Sequence, residues 1–217
     1  FGAPQTAPLY HTLVHLGCEN AKGETTEAGA VTKIWQEFTD QTVLTVPPMR
    51  LLTYWLNNQQ GAIDTAGLLG TTHNGNGNCQ AWSSFFVDLL KAQHISVSQI
   101  MVKSQAIGES LMVKEWTFVG EGLAPNKTPY AYIEGADVTL KNAIDAQGNT
   151  NPPSKFNVHY IVKYNGQFYD PSYGAGPFNN PSQWEDASLD GFFIKFINDD
   201  ETYVRKNIPN VEETRFQ

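Results

Sequence analysis

One cysteine of this chain has the surroundings that nucleophilic catalysis requires. Cys79 follows the loop-forming run Gly75-Asn76-Gly77-Asn78. The residues after it that recur at the spacing of a buried helical stripe are Trp82, Phe85, Phe86, Leu89 and Leu90. This pattern predicts a helix that begins at Cys79, where unsatisfied amide groups and the aligned peptide dipoles stabilise a thiolate. The plain alternative is a small buried cysteine.

A histidine and an aspartate lie on the two strands of a predicted β-hairpin. Its turn is Asn165-Gly166, the strongest short-range hairpin signal, and a two-residue turn there pairs Val162 with Tyr169. In that register His159 and Asp170 share a face and are close enough for their side chains to meet. A nucleophile at a helix start, a base on a strand and an acid that orients the base form the general triad arrangement. The alternative is a structural histidine–aspartate pair.

The order of these motifs resembles that of the transglutaminase-like superfamily. Gly77-Asn78-Cys79-Gln80-Ala81-Trp82 is followed by a hydrophobic helix, a strand histidine and Tyr169-Asp170-Pro171-Ser172, so the likeness covers roughly residues 50 to 175. It implies a papain-like α+β fold in which a cysteine-bearing helix packs on an antiparallel β-sheet. It also implies Cys79 as nucleophile, His159 as base and Asp170 as orienting acid. Gln80 stands where animal transglutaminases and papain-type proteases usually carry Trp, so the resemblance is to the wider superfamily and implies no particular reaction.

Further side chains are candidates for the same site. The backbone N–H of Cys79 is expected to help hold an oxyanion. The side-chain candidates for a second oxyanion donor are Gln80, Asn78 and Asn76. The candidates for lining the substrate cleft are Trp82, His73 and Tyr173, although a solvated loop position is the better interpretation of His73. We expect no metal ion and no cofactor.

The residue types predict acyl transfer from an amide, and the substrate class we expect is a peptide or protein. The Cys79 thiolate would attack the carbonyl, and His159 would give a proton to the leaving amine. Water as acceptor of the thioester gives a protease or deamidase, and an amine gives a cross-linking transglutaminase. A different class remains open, a non-catalytic domain of the same fold that binds a protein or peptide. A metal site formed by Cys79, His159 and Asp170 is a third interpretation.

Composition limits the domain count and the partners. The chain has 217 residues and 24.1 kDa, with 41% hydrophobic and 17% charged residues, which suits one domain over 1–217. A net charge of −8 and no Lys/Arg cluster argue against nucleic acid or an anionic membrane surface as partner. No apolar run is long enough to span a membrane, and no signal-peptide pattern is present. We expect a processed chain or part of a longer one, from a bacterial protein that is exported or on the cell surface.

The second cysteine, Cys18, lies in a different sequence context from Cys79. Two cysteines are too few for a disulfide framework, but a single Cys18–Cys79 disulfide is possible and would silence the nucleophile.

Periodicity and turn residues predict the elements that flank the proposed catalytic core. Alternation over 9–16 predicts a strand, and the capped pattern over 26–39 predicts a helix, so 1–49 should hold one of each. A short helix is predicted over 49–56. The turn-rich stretch 120–154 is expected to form a wall or lid over the cleft, and 176–217 should contain a closing hairpin.

Overall fold

The computed structural model describes residues 9–104, 109–113, 117–119, 123–124, 130–134, 139–141, 145–153, 155–195, 201–206 and 214–216. Within these ranges the helices are α1 (His11–Asn20), α2 (Glu27–Thr39), α3 (Thr65–Leu69), α4 (Cys79–Ala92) and α5 (Pro181–Ser188). The strands there are β1 (Thr53–Tyr54), β2 (Asn76–Gly77), β3 (Ser98–Ser104), β4 (Glu109–Val113), β5 (Thr117–Val119), β6 (Leu123–Ala124), β7 (Tyr130–Glu134), β8 (Thr139–Lys141), β9 (Lys155–Phe156), β10 (Val158–Tyr164), β11 (Gln167–Asp170), β12 (Ala175–Phe178), β13 (Leu189–Lys195), β14 (Glu201–Lys206) and β15 (Thr214–Phe216). The mixture of helices and antiparallel strands confirms the α+β class.

The chain forms two compact units. The first contains the residues up to Ile100 together with 145–152 and 160–177, and the second contains 101–144, 153–159 and 178–217. Strands β3 and β10 each have residues in both units. The single-domain interpretation of 1–217 stays a prediction.

An aromatic core joins α2, α4 and β11 in the first unit. Trp35 and Phe38 on α2 both contact Phe86 on α4, with ring centroids 5.2 and 5.1 Å apart. Trp35 also meets Tyr169 on β11 edge-on at 5.1 Å. The predicted α4 stripe of Trp82, Phe85, Phe86, Leu89 and Leu90 is fully buried. Burial of each large side chain is worth about 1.5–3 kcal/mol, so this core fixes the helix that carries Cys79.

The hairpin β10–β11 forms in the predicted register. Val162 pairs with Tyr169, and Asn165 and Gly166 have φ of 45° and 82°. Those left-handed conformations are the ones that a two-residue type I′ turn requires. The hairpin therefore delivers Asp170 at the end of β11, as the sequence indicated.

The second unit is built on an antiparallel sheet with strand order β6-β7-β14-β13-β4-β9. The predicted C-terminal hairpin is confirmed, since β13 pairs with β14 and Phe193 lies opposite Val204. Helix α5 was not predicted. It begins after Asn180, whose side chain accepts a hydrogen bond from the Gln183 amide at 3.0 Å, and Pro181 occupies its first turn.

The strand prediction for 9–16 is wrong, because this stretch enters α1. The residues that α1 buries are Thr12, Leu13, Leu16 and Gly17, a helical spacing that the alternating pattern concealed. Gly17 lies inside the helix, where an added Cβ would come within 3.0 Å of Gln93 Nε2. The helix also brings His11 and His15 together, with ring centroids 6.2 Å apart, whereas a strand would separate them by about 13 Å.

The short helix predicted over 49–56 is also wrong. Amides in this stretch donate to carbonyl groups outside it: Leu52 to Val43 O at 2.9 Å and Tyr54 to Gln147 O at 2.7 Å. The second bond joins β1 to a segment far along the chain, and the two together keep the stretch extended. A 3₁₀ turn over Leu56–Asn58 follows, so tertiary pairing overrides the local preference for helix.

Other flanking predictions have mixed outcomes. The helix over 26–39 is confirmed as α2, and its cap Thr26 accepts a hydrogen bond from the Gly29 amide at 3.1 Å. The turn-rich stretch 120–154 contains β6, β7 and β8, and much of it lies outside the described residues. Its expected place as a lid stays a prediction. No helix in the described ranges combines the length and the apolar character that a membrane crossing needs.

Candidate active site

Cys79 is the first residue of α4 and is only 5% exposed. Asn78 caps the helix: its Oδ1 accepts a hydrogen bond from the Ala81 amide at 3.0 Å. The first helical bond runs from the Trp82 amide to Asn78 O at 3.1 Å. The sulfur therefore lies at the positive end of a fourteen-residue helix dipole. This is the position that the sequence predicted for it.

The segment that leads into Cys79 is hydrogen bonded along both of its sides. On one side β2 pairs in parallel with β1, so that Tyr54 lies opposite Gly77. On the other side the Asn78 amide donates to Ala62 O at 2.9 Å. At Gly77 an added Cβ would lie 2.9 Å from both Ala81 Cβ and Leu68 Cδ1. Glycine is needed there for close packing, and the start of α4 is held in place from several directions.

Asp170 ends β11 and has no exposed surface. The turn that follows it is tied to other segments, because Ser172 O accepts from the Gln147 amide at 3.0 Å. Tyr173 O accepts from Gln41 Nε2 at 2.8 Å. The hydrogen bonds at Ser172 and Tyr173 fix this turn, and the turn keeps the carboxyl group of Asp170 in the interior.

Two buried tyrosines accompany Cys79 and Asp170. Tyr54 and Tyr173 are 1% and 7% exposed, and their ring centroids are 5.4 Å apart at 62°. Burial raises the pKa of Tyr54 well above its ordinary value, and the charges of Tyr173, Cys79 and Asp170 raise it further. Burial and then the charge of Asp170 likewise raise the pKa of Tyr173. These four residues, Cys79, Asp170, Tyr54 and Tyr173, lie within the first unit and are called the buried cluster below.

His159 lies on β10 and belongs to the second unit. It is fully buried and contacts two aromatic rings, with its ring centroid 4.6 Å from that of Phe156 and 5.9 Å from that of Trp184. Both rings are stacked on the imidazole, at interplanar angles of 28° and 18°, an arrangement that also suits an imidazolium cation. Its pairing with Cys79 and Asp170 stays a prediction.

The remaining candidates have varied surroundings. Trp82 is fully buried and donates its indole N–H to Thr53 O at 3.1 Å, so it supports the site from the core. His73 is exposed, in agreement with the solvated loop position. Asn76 uses both ends of its side chain, accepting from the Leu56 amide at 2.8 Å and donating to Gln59 O at 3.0 Å.

The three candidates for the second oxyanion donor differ in the hydrogen bonds that they already make. The Oδ1 and Nδ2 atoms of Asn76 both bind backbone groups of nearby segments. The Oδ1 of Asn78 accepts the hydrogen bond that caps α4. Gln80 is half-buried in the first turn of α4. Its carbonyl accepts from Ser83 Oγ at 3.0 Å and from Gln99 Nε2 at 3.3 Å. An oxyanion role for any of the three stays a prediction.

Sequence reasoning missed Tyr54 and Trp184. Tyr54 belongs to a stretch interpreted as helix, and its partner β2 is more than twenty residues further along the chain. No local signal marks such a pairing. Trp184 lies in the unpredicted α5, for which Asn180 followed by Pro181 was the available start signal.

The two cysteines are separate thiols: Cys18 is exposed on α1 and Cys79 is buried. The structure therefore contains no disulfide between Cys18 and Cys79, and that alternative is wrong. In the part of the chain that is described, no three His, Cys, Asp or Glu side chains are grouped so that they could hold a metal ion.

Comparisons with family models, curated proteins and solved structures find no match to this chain. The resemblance to the transglutaminase-like superfamily stays a prediction, and the chemistry of the site is argued from its residues.

Proposed function

We propose that this chain is a cysteine-dependent acyl-transfer enzyme of transglutaminase-like, papain-like fold that acts on an amide of a peptide or protein. The observation that carries the proposal is the buried cluster, in which the first residue of α4 is a cysteine that shares its surroundings with the carboxyl group of Asp170. A helix start favours the thiolate, and a buried carboxylate suits the orienting acid of a triad. His159 on β10 is the base in this proposal, on the strength of the motif order.

The first half-reaction forms a thioester. Cys79 Sγ attacks the carbonyl carbon of the amide, and the electron pair of the C=O bond moves to the oxygen. When this tetrahedral species collapses, the C–N bond breaks and the amine leaves with a proton from the His159 imidazolium. Asp170 stabilises the imidazolium cation and fixes the tautomer of the neutral ring.

The second half-reaction returns the free enzyme. Water or an amine attacks the thioester carbonyl while His159 accepts its proton, and the C–S bond breaks to regenerate the thiolate. Water gives a carboxylic acid, which is hydrolysis, and an amine gives a new amide, which is transamidation. Both outcomes use the same residues.

One observation favours the rival function, a binding module without turnover. Cys79 is 5% exposed, which also suits an inert core cysteine. The two functions differ in the state of the thiol, because only a nucleophile needs a thiolate at neutral pH.

The deciding experiment is the pH dependence of Cys79 alkylation by iodoacetamide between about pH 4 and about pH 9, followed by mass spectrometry of the labelled peptides. An ordinary thiol has a midpoint near pH 8.5. We expect Cys79 to label with a midpoint well below this value, and His159→Ala to move the midpoint upward. The midpoint is the readout, because burial slows the absolute rate at every pH.

Cys18 is the internal control for this experiment, since it is an exposed thiol of the same chain. A Cys79 midpoint equal to that of Cys18 would remove the nucleophile and leave the binding module as the better function. A low midpoint that does not respond to His159→Ala would retain the thiolate but reject His159 as its partner.

A further inference from the structure

We infer that His11 and His15 on α1 form a chelating site for a divalent transition-metal ion of the class of Ni²⁺, Cu²⁺ and Zn²⁺. The two imidazoles supply two ligands, and water molecules complete the coordination. The inference goes beyond the proposed function and does not depend on it, because neither histidine belongs to the buried cluster.

The spacing of the two histidines suits chelation because this stretch is helical. Residues four apart on a helix lie one turn above each other, with Cβ atoms about 5–6 Å apart. The ring centroids of His11 and His15 are 6.2 Å apart. A metal ion lies about 2 Å from each ligating imidazole nitrogen, so two rings that share one ion have centroids no more than about 6.5 Å apart. The observed separation is within that limit.

The two side chains are accessible and can adjust to the ion. Both are exposed, and their ring planes are inclined at 44°. A metal angle of roughly 90–110°, as in octahedral or tetrahedral coordination, requires the centroids to approach each other by about 1 Å more. Rotation of the exposed His15 side chain supplies this movement. Exposure also admits the ion together with its water ligands.

A backbone carbonyl orients His11 and determines which of its nitrogens can bind an ion. The Nδ1 atom of His11 lies 3.3 Å from Val46 O. A carbonyl oxygen only accepts, so Nδ1 carries the ring proton and donates it, and Nε2 of the neutral ring holds the lone pair. A metal-ligating histidine almost always donates its other ring N–H to a carbonyl or carboxylate group in this way. His11 therefore has the tautomer that leaves Nε2 as the ligand.

The first turn of α1 is anchored at the same carbonyl group. Thr12 Oγ1 donates to Val46 O at 3.4 Å, and the Val46 amide donates to Thr12 Oγ1 at 3.2 Å. These bonds hold the start of α1 against the segment around Val46, and they fix the backbone that carries both imidazoles. A ligand pair on a fixed backbone loses less conformational freedom when the ion binds.

The ligands select the class of ion. Imidazole nitrogen suits Zn²⁺, Cu²⁺ and Ni²⁺, whereas Ca²⁺ and Mg²⁺ prefer oxygen ligands. Across the described ranges no third His, Cys, Asp or Glu side chain joins a group that could hold a metal ion. The site is therefore open, with positions for water. Cu²⁺ should bind it more tightly than Ni²⁺ or Zn²⁺.

Isothermal titration calorimetry of the full chain with Ni²⁺ tests the site. We expect a single ion per chain. His11→Ala and His15→Ala should each lower the affinity by at least about a hundredfold, the smaller end of what a second linked ligand contributes. The His11→Ala/His15→Ala double variant should resemble the single variants, since loss of either imidazole already destroys the chelate.

Two variants serve as controls. His73→Ala removes another exposed histidine, one that lies in a loop, and should leave the affinity unchanged. Cys18→Ser removes the exposed thiol of α1 and should also leave it unchanged. Circular dichroism and thermal unfolding without metal verify the folding of each variant. Because His11→Ala and His15→Ala are read separately, one folded variant is enough to test the chelate.

The titrations distinguish the chelate from other ways of binding metal. Weak binding of several ions, reduced by one ion in each of His11→Ala, His15→Ala and His73→Ala, would show independent imidazoles and overturn the inference. A single site that survives both α1 variants, or that Cys18→Ser or Cys79→Ser removes, would place the ion elsewhere and overturn it as well. The alkylation midpoint of Cys79 is a separate measurement, so the proposed function stands or falls independently.

Discussion

Gly77→Ala should destabilise the protein because of overlap alone. The backbone of Gly77 is not in the left-handed region, so alanine meets no conformational strain there. The new Cβ would lie 2.9 Å from Ala81 Cβ and 2.9 Å from Leu68 Cδ1, closer than real Cβ atoms approach other atoms. Leu68 can give way at its side-chain tip, but Ala81 belongs to the first turn of α4. Relief therefore requires the helix start to move.

The cost follows from what overpacking does in other cores. An extra methyl group in a packed interior costs about 1–3 kcal/mol. For a chain of this size each kcal/mol lowers Tm by about 2–4 °C, so we expect a decrease of about 2–12 °C. Urea unfolding followed by tryptophan fluorescence gives the free energy of unfolding directly.

Gly17→Ala is the control for this prediction. Gly17 lies inside α1, and its added Cβ would meet the movable amide of Gln93 at 3.0 Å and Leu89 O at an ordinary 3.6 Å. Alanine gains up to about 1 kcal/mol over glycine inside a helix, so this variant should be as stable as the unsubstituted protein or more so. A Gly77→Ala protein that unfolds at the same urea concentration as Gly17→Ala would show that the close approach at Gly77 is not a constraint.

Three further predictions concern stability. Because burial raises the pKa values of Tyr54 and Tyr173, these side chains leave the free energy of unfolding unchanged below about pH 10, and above it the free energy should fall by about 1.4 kcal/mol per pH unit for each tyrosine that ionises only in the unfolded chain. Urea unfolding between about pH 9.5 and about pH 11.5 measures this fall. A Tyr54→Phe protein whose free energy of unfolding falls with pH as steeply as that of the unsubstituted protein would contradict the prediction. Asn78→Ala should lower the free energy of unfolding by about 0.5–2 kcal/mol through loss of the α4 cap, whereas Asn78→Asp should retain the cap. Equal decreases in the two variants would argue against a capping role for Asn78. Phe38→Ala should lower the free energy of unfolding by about 3–5 kcal/mol, because Phe38 is fully buried among aromatic rings. Met49→Ala is the control, since its side chain is 74% exposed and its loss should change the free energy of unfolding by less than about 0.5 kcal/mol. Similar effects of the two substitutions would refute the assignment of the core.

The parts of the site that the sequence predicted are those governed by local signals. The apolar stripe after Cys79 requires a helix, and the loop residues before it prevent that helix from starting earlier. Asn165-Gly166 permits one tight turn, and that turn alone determines that Val162 lies opposite Tyr169. Each signal lies within a few residues of what it determines.

The failures have the opposite cause. The stretch around Tyr54 has apolar residues that suit a short helix, but its amides donate to carbonyl groups outside the stretch, and the one that Tyr54 reaches belongs to Gln147, far away in the sequence. Residues 9–16 alternate in polarity, yet the face they bury is decided by α4, against which α1 packs. In both stretches the partner decides the structure, and a single sequence does not identify the partner.

The position of Gln147 restricts how the length of the chain can vary. Loops rich in turn-forming residues usually tolerate insertions and deletions well. Gln147 is fully buried, however, and its amide and carbonyl connect two segments while its Nε2 donates to Phe38 O at 2.7 Å. One residue added between 145 and 149 would change the hydrogen-bond register at Gln147 and break the connection between β1 and the turn after Asp170. Natural length variation among relatives should therefore avoid 145–149.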